Sequence, residues 1–302
     1  MKEAIDLCKL IEQFGSEEKC RAYLEQLRWS GVIACLKCKS EKIYPILGRN
    51  QFVCDSCTYQ FSVTVGTIFH DTHLPLWKWF LATYLLCESR KGMSANQIKR
   101  TLGISYKTAW YLCHRIRAAM AEADHKLSGT VEIDETYIGG KQRGHHRQLK
   151  NKAAVIGIRE RGGHLHFIRA DNVNQDSLYE IISRNVDTTV DVIMTDESKL
   201  YNFEMTKFRD AKHKSVNHSQ DEYVRREKGI VVSTNTVESA FSLLKRGIVG
   251  TWHRVSTKHL GAYLQEMTWR FNNRKNPFLF RDTILKLIAS DNLEYKELTK
   301  AA

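Results

Sequence analysis

The sequence has no apolar run long enough to cross a bilayer and no export signal. Its longest apolar stretch, residues 76–87, contains Lys78 and is far shorter than the roughly 18 to 20 residues that a membrane-spanning helix needs. The first six residues turn acidic and lack the positive start and the apolar run of a signal peptide. We therefore expect a cytoplasmic protein with no membrane partner.

Repeats and low-complexity linkers are also absent, and the 302 residues include only 3 prolines. Hydrophobic residues make up 42% of the chain and charged residues 26%, which is ordinary globular composition. This composition excludes intrinsic disorder, collagen and a simple coiled coil, and the length suffices for two or three domains.

Acidic residues are scarce relative to basic ones. The chain has 34 Asp and Glu against 46 Lys and Arg, for a net charge of +12. The folded surface should therefore carry a positive field, and a polyanion is the natural partner.

The eight cysteines fall into two groups. Because disulfides are rare in the cytoplasm, their spacing is interpreted first as metal chemistry. Two C-x-x-C pairs predict one structural zinc site on a short β-hairpin, and four thiolates leave no open position for catalysis. The four predicted zinc ligands are Cys35, Cys38, Cys54 and Cys57. The four remaining cysteines are expected to be small buried side chains: Cys8, Cys20, Cys87 and Cys113.

A helix-turn-helix is predicted after this segment. Ser94 begins one helix, Gly103 ends it, and Ser105 begins the next. Such a unit binds DNA through its second helix, although a plain three-helix bundle would show a similar pattern. The residues expected to face the major groove are Tyr106, Lys107, Trp110 and His114, and those expected to pack inside are Ala95, Ile98, Leu102 and Ala109.

Acidic side chains occur on three later elements. Residues 131–138 alternate as a strand does and place Asp134 in the middle of a sheet. A second apolar strand ends in Asp196, so the two aspartates meet if the strands are neighbours. A helix start then places Asn235 and Glu238 one turn apart on one face.

Such a cluster of acids repels itself unless cations occupy it. Mg²⁺ or Mn²⁺ are the ions that carboxylate oxygens attract, and two such ions can assist phosphodiester displacement. Taken singly, each acid is equally compatible with an ordinary strand-end or cap position. We expect Glu132 and Glu135 to lie off the site, since neighbouring residues on a strand point to opposite faces.

Basic residues accompany the acids. Lys141 and Arg143 belong to a basic hairpin tip that either contacts phosphate or is simply solvated. Lys245 lies two turns after Glu238 on nearly the same face, where it can hold a DNA backbone, and Arg246 follows it.

In this order the motifs resemble those of the insertion-sequence transposases with an N-terminal zinc ribbon and an ISXO-type DDE catalytic domain. The resemblance covers nearly the whole chain. It rests on the two C-x-x-C pairs followed by FSVTVGTIF (61–69), on EIDETYIGGK (132–141), on Thr195-Asp196, on NTVES (235–239) with LLKRG (243–247), and on KHL (258–260) and WRFN (269–272).

The resemblance implies an RNase H-like fold and metal-dependent cleavage of transposon ends, followed by attack of the freed 3′-hydroxyl on target DNA. Its two aspartates correspond to Asp134 and Asp196. Glu238 is the preferred third residue, since a carboxylate is the better ligand for a hard ion and Lys245 stands at the family's seven-residue offset. Asn235 is the runner-up and otherwise the helix cap.

The predicted fold class is therefore multidomain α+β, with a zinc ribbon, a helix-turn-helix bundle and an RNase H-like α/β domain with a mixed sheet. The predicted domains are a helical lead-in (1–30), the ribbon (31–66), the DNA-binding region (67–127), the catalytic domain (128–275) and a helical tail (276–302). Double-stranded DNA is the expected partner, with association with the nucleoid and a homo-oligomer, a dimer or larger, at synapsis.

Two other functions remain open at this point. A regulator that combines the ribbon and the helix-turn-helix with a dimerising C-terminal domain needs no metal chemistry. A metal-dependent nuclease without strand transfer would use the same ligands.

Overall fold

The computed structural model describes residues 4–121, 125–139, 152–201, 208, 211–216, 224–227 and 229–300. The chain forms two compact units, one made of residues 1–120 together with 275–302 and one made of residues 121–274. Within the ranges described, no helix combines the length and the apolar character needed to cross a membrane. The C-terminal segment thus folds with the N-terminal unit.

The elements of the chain up to residue 120 are as follows. The helices are α1 (Leu7–Phe14), α2 (Glu17–Trp29), α3 (Leu76–Glu88), α4 (Ala95–Leu102) and α5 (Tyr106–Ala119), and the strands are β1 (Ile43–Ile46), β2 (Gln51–Cys54) and β3 (Gln60–Phe61).

After residue 120 the chain forms three strands, one helix, four further strands and then a run of helices. The strands are β4 (Thr130–Gly139), β5 (Lys152–Glu160), β6 (Leu165–Ala170), β7 (Val192–Asp196), β8 (Lys212–Val216), β9 (Arg225–Glu227) and β10 (Ile230–Val232). The helices are α6 (Gln175–Asn185), α7 (Asn235–Gly247), α8 (Leu260–Asn272), α9 (Leu279–Ala289) and α10 (Tyr295–Thr299).

The ribbon is an antiparallel sheet in the order β1-β2-β3. Its few apolar side chains include Phe52 and Phe61, which pack edge-on against Trp29 at the end of α2. Strand β3 ends at Phe61, because Ser62 and Thr64 form a turn in which their hydroxyls lie 2.9 Å apart.

The predicted helix-turn-helix is present in α4 and α5. The Ser94 hydroxyl accepts from the Gln97 amide at 3.2 Å, and the Ser105 hydroxyl accepts from the Thr108 amide at 3.1 Å. Gly103 ends α4 in the left-handed region at φ 60°, a conformation that suits glycine. Ile98, Leu102 and Ala109 are buried as expected, whereas Ala95 is half-buried.

The C-terminal helix α9 completes the core of this unit. The Phe280 ring packs against aromatic rings of α1 and α3, with centroid distances of 6.1 Å to Phe14, 6.0 Å to Phe80 and 6.1 Å to Tyr84. The Thr283 hydroxyl lies 3.3 Å from the Cys87 sulfur. Cys20, Cys87 and Cys113 are buried as predicted, but Cys8 is exposed, because it lies on the outer face of the first helix.

The second unit contains a five-stranded mixed sheet in the order β6-β5-β4-β7-β8. Strands β4, β5 and β6 are antiparallel, whereas β7 and β8 run parallel to β4. This is the mixed RNase H-like sheet that the family resemblance implied, and the predicted fold class is confirmed. Strand β7 ends in Asp196, as predicted, whereas β8 to β10 were not predicted.

Helices cover both faces of the sheet. On one face, Ile133 and Ile156 pack in a core with Leu178 and Ile182 of α6. On the other face, α7 and α8 pack over β5 and β6 through a second core that includes Phe241. Because side chains alternate along β4, residues 132, 134 and 136 lie opposite the α6 face.

Gly157 sets how closely α7 approaches the sheet. It pairs with Asp134 across the β4–β5 ladder. A Cβ at this position would lie 2.7 Å from the Phe241 ring and 2.9 Å from a Val237 methyl. The absence of a side chain therefore lets α7 lie directly against the strand beside Asp134.

We predict that Gly157→Ala destabilises the protein by about 1 to 3 kcal/mol, because the new methyl group overpacks the α7 contact. Gly261→Ala is the matched control, since a Cβ there meets nothing within 4 Å and alanine favours a helix. Chemical denaturation of both variants measures the difference. Equal stability of the two variants would contradict the close approach of α7.

Candidate active site and cysteine cluster

Asp134 and Asp196 lie on adjacent parallel strands. The register pairs Glu132 with Met194, and two residues further along it brings Asp134 alongside Asp196 at the carboxyl end of β7. One oxygen of each carboxylate is held by a backbone amide, that of Glu135 at 2.8 Å from Asp134 Oδ1 and that of Ser198 at 3.1 Å from Asp196 Oδ1. The sequence prediction that these two aspartates meet agrees with this geometry.

Glu238 approaches from helix α7. Its neighbour Val237 packs on Gly157, the pairing partner of Asp134, so the first turn of α7 lies over the middle of the sheet. The Thr234 hydroxyl donates to Glu238 Oε1 at 2.9 Å. The carboxylate is half-buried and is oriented from its own helix start.

The electrostatics of Asp134 link the acids. Burial raises the pKa of Asp134 to about 7, the Glu135 amide opposes this, and the negative charges of Glu135, Asp196 and Glu238 raise it further. Each of these carboxylates is therefore close enough for its charge to act on Asp134. Oxygen donors with an excess of negative charge are the ligands that hard divalent cations prefer. Among the described residues, however, only the four cysteines lie close enough together to share one ion, so these acids act on one another without forming a closed ligand set.

Asn235 occupies a different position from the one predicted. Thr234 precedes α7 as the N-cap residue, and Asn235 is the first residue of the helix. The prediction that Asn235 caps the helix was therefore wrong by one residue. Its side chain is exposed and lies one turn before Glu238.

Glu132 differs from expectation, whereas Glu135 points to the face opposite Asp134, as the strand alternation predicted. Glu132 is two residues from Asp134, not one, and therefore shares its face of the sheet. It is fully buried beneath the start of α7. Glu135 lies on the opposite face, where its carboxylate accepts from the Tyr201 hydroxyl at 2.5 Å, and burial raises the pKa of both groups.

The predicted basic residues are only partly within the described chain. Lys245 and Arg246 are exposed on the last turn of α7, and Arg246 Nε donates to the Ser242 carbonyl at 3.1 Å. Lys141 and Arg143 lie outside the described residues. Lys245 is thus on the same helix as Glu238 and open to solvent.

The predicted recognition helix is partly covered. Tyr106 is exposed, and Lys107 is exposed with its ammonium 4.5 Å from the centre of the Tyr295 ring. His114 is 1% exposed, and its ring centre lies 4.4 Å from that of Trp110 with the two planes tilted by 55°, so the expectation that His114 faces a groove was wrong. Sequence reasoning missed the C-terminal contact because Tyr295 is distant along the chain.

The four predicted zinc ligands form one compact cluster. Their sulfurs all lie within 4.8 Å of one another, with 3.6 Å between Cys35 and Cys57 and 3.5 Å between Cys38 and Cys54. Four sulfurs placed about 2.3 Å from a tetrahedral zinc ion would be about 3.8 Å apart. The Lys37 amide donates to the Cys35 sulfur at 3.4 Å. The cluster therefore fits a structural zinc ion.

Two sequence families match the two parts of the chain. The family described as a transposase zinc-ribbon domain matches residues 15–60, and the family described as an ISXO2-like transposase domain matches residues 126–272. A Halobacterium salinarum protein of the transposable element ISH50 is 27% identical, over 86% of this chain and 92% of that protein. These matches confirm the resemblance to insertion-sequence transposases, with a zinc-ribbon match in residues 15–60 followed by an ISXO2-like transposase match in residues 126–272.

Solved structures show weaker similarity. The chain of a pre-cleavage Mos1 transpososome is 11% identical, with a TM-score of 0.28 over 72% of this chain and 79% of that one. A chain of a simian T-cell lymphotropic virus intasome is 12% identical, with a TM-score of 0.29 over 64% of this chain and 67% of that one. Scores of this size do not establish a shared fold.

We predict that Cys54→Ser unfolds the ribbon and releases its zinc, because a three-thiolate site holds the ion less tightly and this small segment has little apolar core. Zinc analysis of the purified variant measures the loss. Cys8→Ser removes an exposed thiol outside the cluster and should keep its zinc. A zinc-loaded Cys54→Ser protein would contradict the assignment.

We predict that Asp134→Asn stabilises the protein when no divalent ion is added. A carboxyl whose folded pKa is raised to about 7 binds its proton more tightly in the folded state, so wild-type stability falls as the pH rises from about 4 to 7. The neutral amide avoids this loss, which is at most about 4 kcal/mol at pH 8. Denaturation at pH 5 and pH 8 measures it, and a gap between variant and wild type that does not widen with pH would contradict the electrostatic account.

Proposed function

We propose that this transposase cleaves DNA at the ends of its element and joins the freed 3′-hydroxyl to target DNA in a divalent-metal-dependent reaction. The observation that supports this most directly is that Asp134 and Asp196 lie on adjacent parallel strands and that the charges of Asp196 and Glu238, from two other elements, help to raise the pKa of Asp134. Without cations these negative charges repel one another. The divalent cations that they attract are the ions that assist phosphodiester displacement in DNA-processing enzymes.

Asp134 and Asp196, on two adjacent parallel strands, would hold the ions. Bound Mg²⁺ or Mn²⁺, two ions in this proposal, supplies charge stabilisation to the attacking and leaving oxygens of the phosphodiester. The amides of Glu135 and Ser198 fix one oxygen of each aspartate and so orient the other toward the ions. Lys245, two turns along α7 from Glu238, would bind the DNA backbone, and Arg246 would extend that contact.

Glu238 is the proposed third ligand, in preference to Asn235. Its charge contributes to the raised pKa of Asp134, and its carboxylate is oriented by Thr234. A hard cation also prefers a charged oxygen to an amide oxygen. Asn235, which is exposed and lies one turn earlier, is the other candidate for the third ligand, and the experiment must distinguish it from Glu238.

Double-stranded DNA, both transposon ends and target, is the proposed partner. Tyr106 and Lys107 at the start of α5 are exposed and would contact the end sequence. Lys141 and Arg143, which lie outside the described residues, are proposed from the sequence to contact backbone phosphates. Synapsis of two ends calls for a dimer or a larger homo-oligomer. Association with the nucleoid follows if the positive chain binds DNA as proposed.

Two alternatives predict different products. A nuclease with the same ligands would cleave without joining, and a DNA-binding regulator would bind the ends without cutting. The choice among them depends on which hydroxyl attacks, and a strand-transfer product identifies the transposase reaction.

We predict that Asp134→Ala and Glu238→Gln abolish Mg²⁺-dependent cleavage and strand transfer while end binding stays within about threefold of wild type. The acids lie in the ISXO2-like domain, whereas the ribbon and the helix-turn-helix belong to the other compact unit. A labelled duplex that carries the element's own end provides both readouts. Asn235→Ala is the matched variant on the same helix turn and should retain activity.

Three outcomes would contradict parts of this proposal. Cleavage by Asp134→Ala would remove this residue from the reaction. Loss of activity in Asn235→Ala alone would transfer the third role to the asparagine. Binding without any cutting by the wild-type protein would favour the regulator.

A further inference from the structure

The start of helix α7 is held by residues that the sequence did not single out. Glu132 is 0% exposed, and four donors surround its carboxylate. Oε1 accepts from Arg161 Nε at 2.7 Å, and Oε2 accepts from the Thr236 amide at 2.8 Å, the Thr236 hydroxyl at 2.7 Å and the Val237 amide at 3.1 Å. A buried carboxylate with this many partners is a rigid connection between β4 and α7.

Glu132 does here what an N-cap side chain usually does. Thr236 and Val237 are the second and third residues of α7, and their amides are the ones that a capping side chain normally satisfies. Thr234 stands at the N-cap position but makes no side-chain cap bond. Its hydroxyl donates instead to Glu238 Oε1 at 2.9 Å.

Arginines complete the attachment of this helix start. Arg161 donates through its terminal nitrogen to the Ser233 carbonyl at 3.0 Å and to the Ser233 hydroxyl at 2.9 Å, and it also binds the Val231 carbonyl. Arg159 donates to the Thr236 carbonyl. The segment that enters α7 is thus fixed to the strand that carries Asp134 and to its neighbour.

We propose that Glu132 is a positioning residue: by capping α7 from β4 it frees Thr234 to orient Glu238 toward Asp134. This inference rests on the proposed function, because it assigns to Glu132 a role in placing one of the proposed metal ligands. Without the Glu132 carboxylate, the Thr234 hydroxyl turns to the exposed amides of α7 and releases Glu238. The consequence is a weaker cation site in a domain that is otherwise folded.

Mn²⁺ binding to the full-length protein, measured by calorimetry, tests the inference without relying on catalysis. Glu132→Ala should weaken Mn²⁺ binding at least about tenfold, the size of effect typical of residues that orient metal ligands. Thr234→Ala should weaken it similarly, whereas Thr234→Ser keeps the hydroxyl and should bind as wild type does. The double variant should bind no more weakly than Glu132→Ala alone, because both changes release the same carboxylate.

Two further variants guard against a loss of folding. Glu132→Gln keeps one carbonyl oxygen for the α7 amides but loses the ion pair with Arg161, so it should fold and show a smaller loss of Mn²⁺ affinity. Glu180→Gln removes an exposed carboxylate on α6 and is the control, with wild-type affinity expected. Hydrogen exchange at the Thr236 and Val237 amides should rise in Glu132→Ala and not in Thr234→Ala.

The failure of this inference can be distinguished from the failure of the proposed function. Wild-type Mn²⁺ affinity in Thr234→Ala or Glu132→Gln, together with abolished binding in Asp134→Asn, would leave the metal site in place and overturn the positioning role. Unchanged Mn²⁺ affinity in Asp134→Asn would overturn the metal site itself. If the losses of Mn²⁺ affinity in the two single variants add up in the double variant, this would also contradict the proposal that both residues act through Glu238.

Discussion

The contact between helix α7 and the β4–β5 strand pair is the constraint on which the candidate site depends. Asp134 and Asp196 are brought together by backbone pairing, which the strand register alone secures. Glu238 lies on a helix and is not positioned by strand pairing. Its position therefore depends on how firmly that helix is attached to the sheet. Gly157 allows the close approach, and the buried Glu132 fixes the end of the helix that precedes Glu238.

This arrangement stabilises the scaffold and destabilises the site. Glu132 is surrounded by donors and by an arginine, whereas burial and three nearby negative charges raise the pKa of Asp134 to about 7. Two carboxylates two residues apart on one strand thus have opposite environments. Glu132, whose carboxylate has its hydrogen bonds satisfied, stabilises the fold. Asp134 carries a negative charge that a divalent cation can neutralise. This contrast supports a metal role for Asp134 and a structural role for Glu132.

The sequence was informative wherever the signal is local. Cysteine spacing predicted the four-sulfur cluster, Ser94 and Ser105 predicted helix starts, and alternation predicted β4 with Asp134 at its centre. Resemblance to known transposases supplied the rest of the domain order. These features depend on a few residues that are neighbours in the chain, so they can be predicted from the sequence.

The features that sequence reasoning missed depend on contacts between distant residues. Glu132 was assigned to the wrong face, and its bonds to Thr236 and Val237 appear only once β4 and α7 are packed together. The cap of α7 lies at Thr234 rather than at Asn235, because the cap function comes from another strand. In the other unit, the contact of Lys107 with the Tyr295 ring joins residues that lie far apart in the chain.

The central claim is that these acids hold divalent cations, and the most direct measurement is anomalous diffraction from crystals of the full-length protein grown with Mn²⁺. The account predicts manganese peaks about 2.0 to 2.4 Å from carboxylate oxygens of Asp134 and Asp196, with Glu238 as a further ligand of the same site. Crystals that hold manganese elsewhere and leave these oxygens without it would contradict the account.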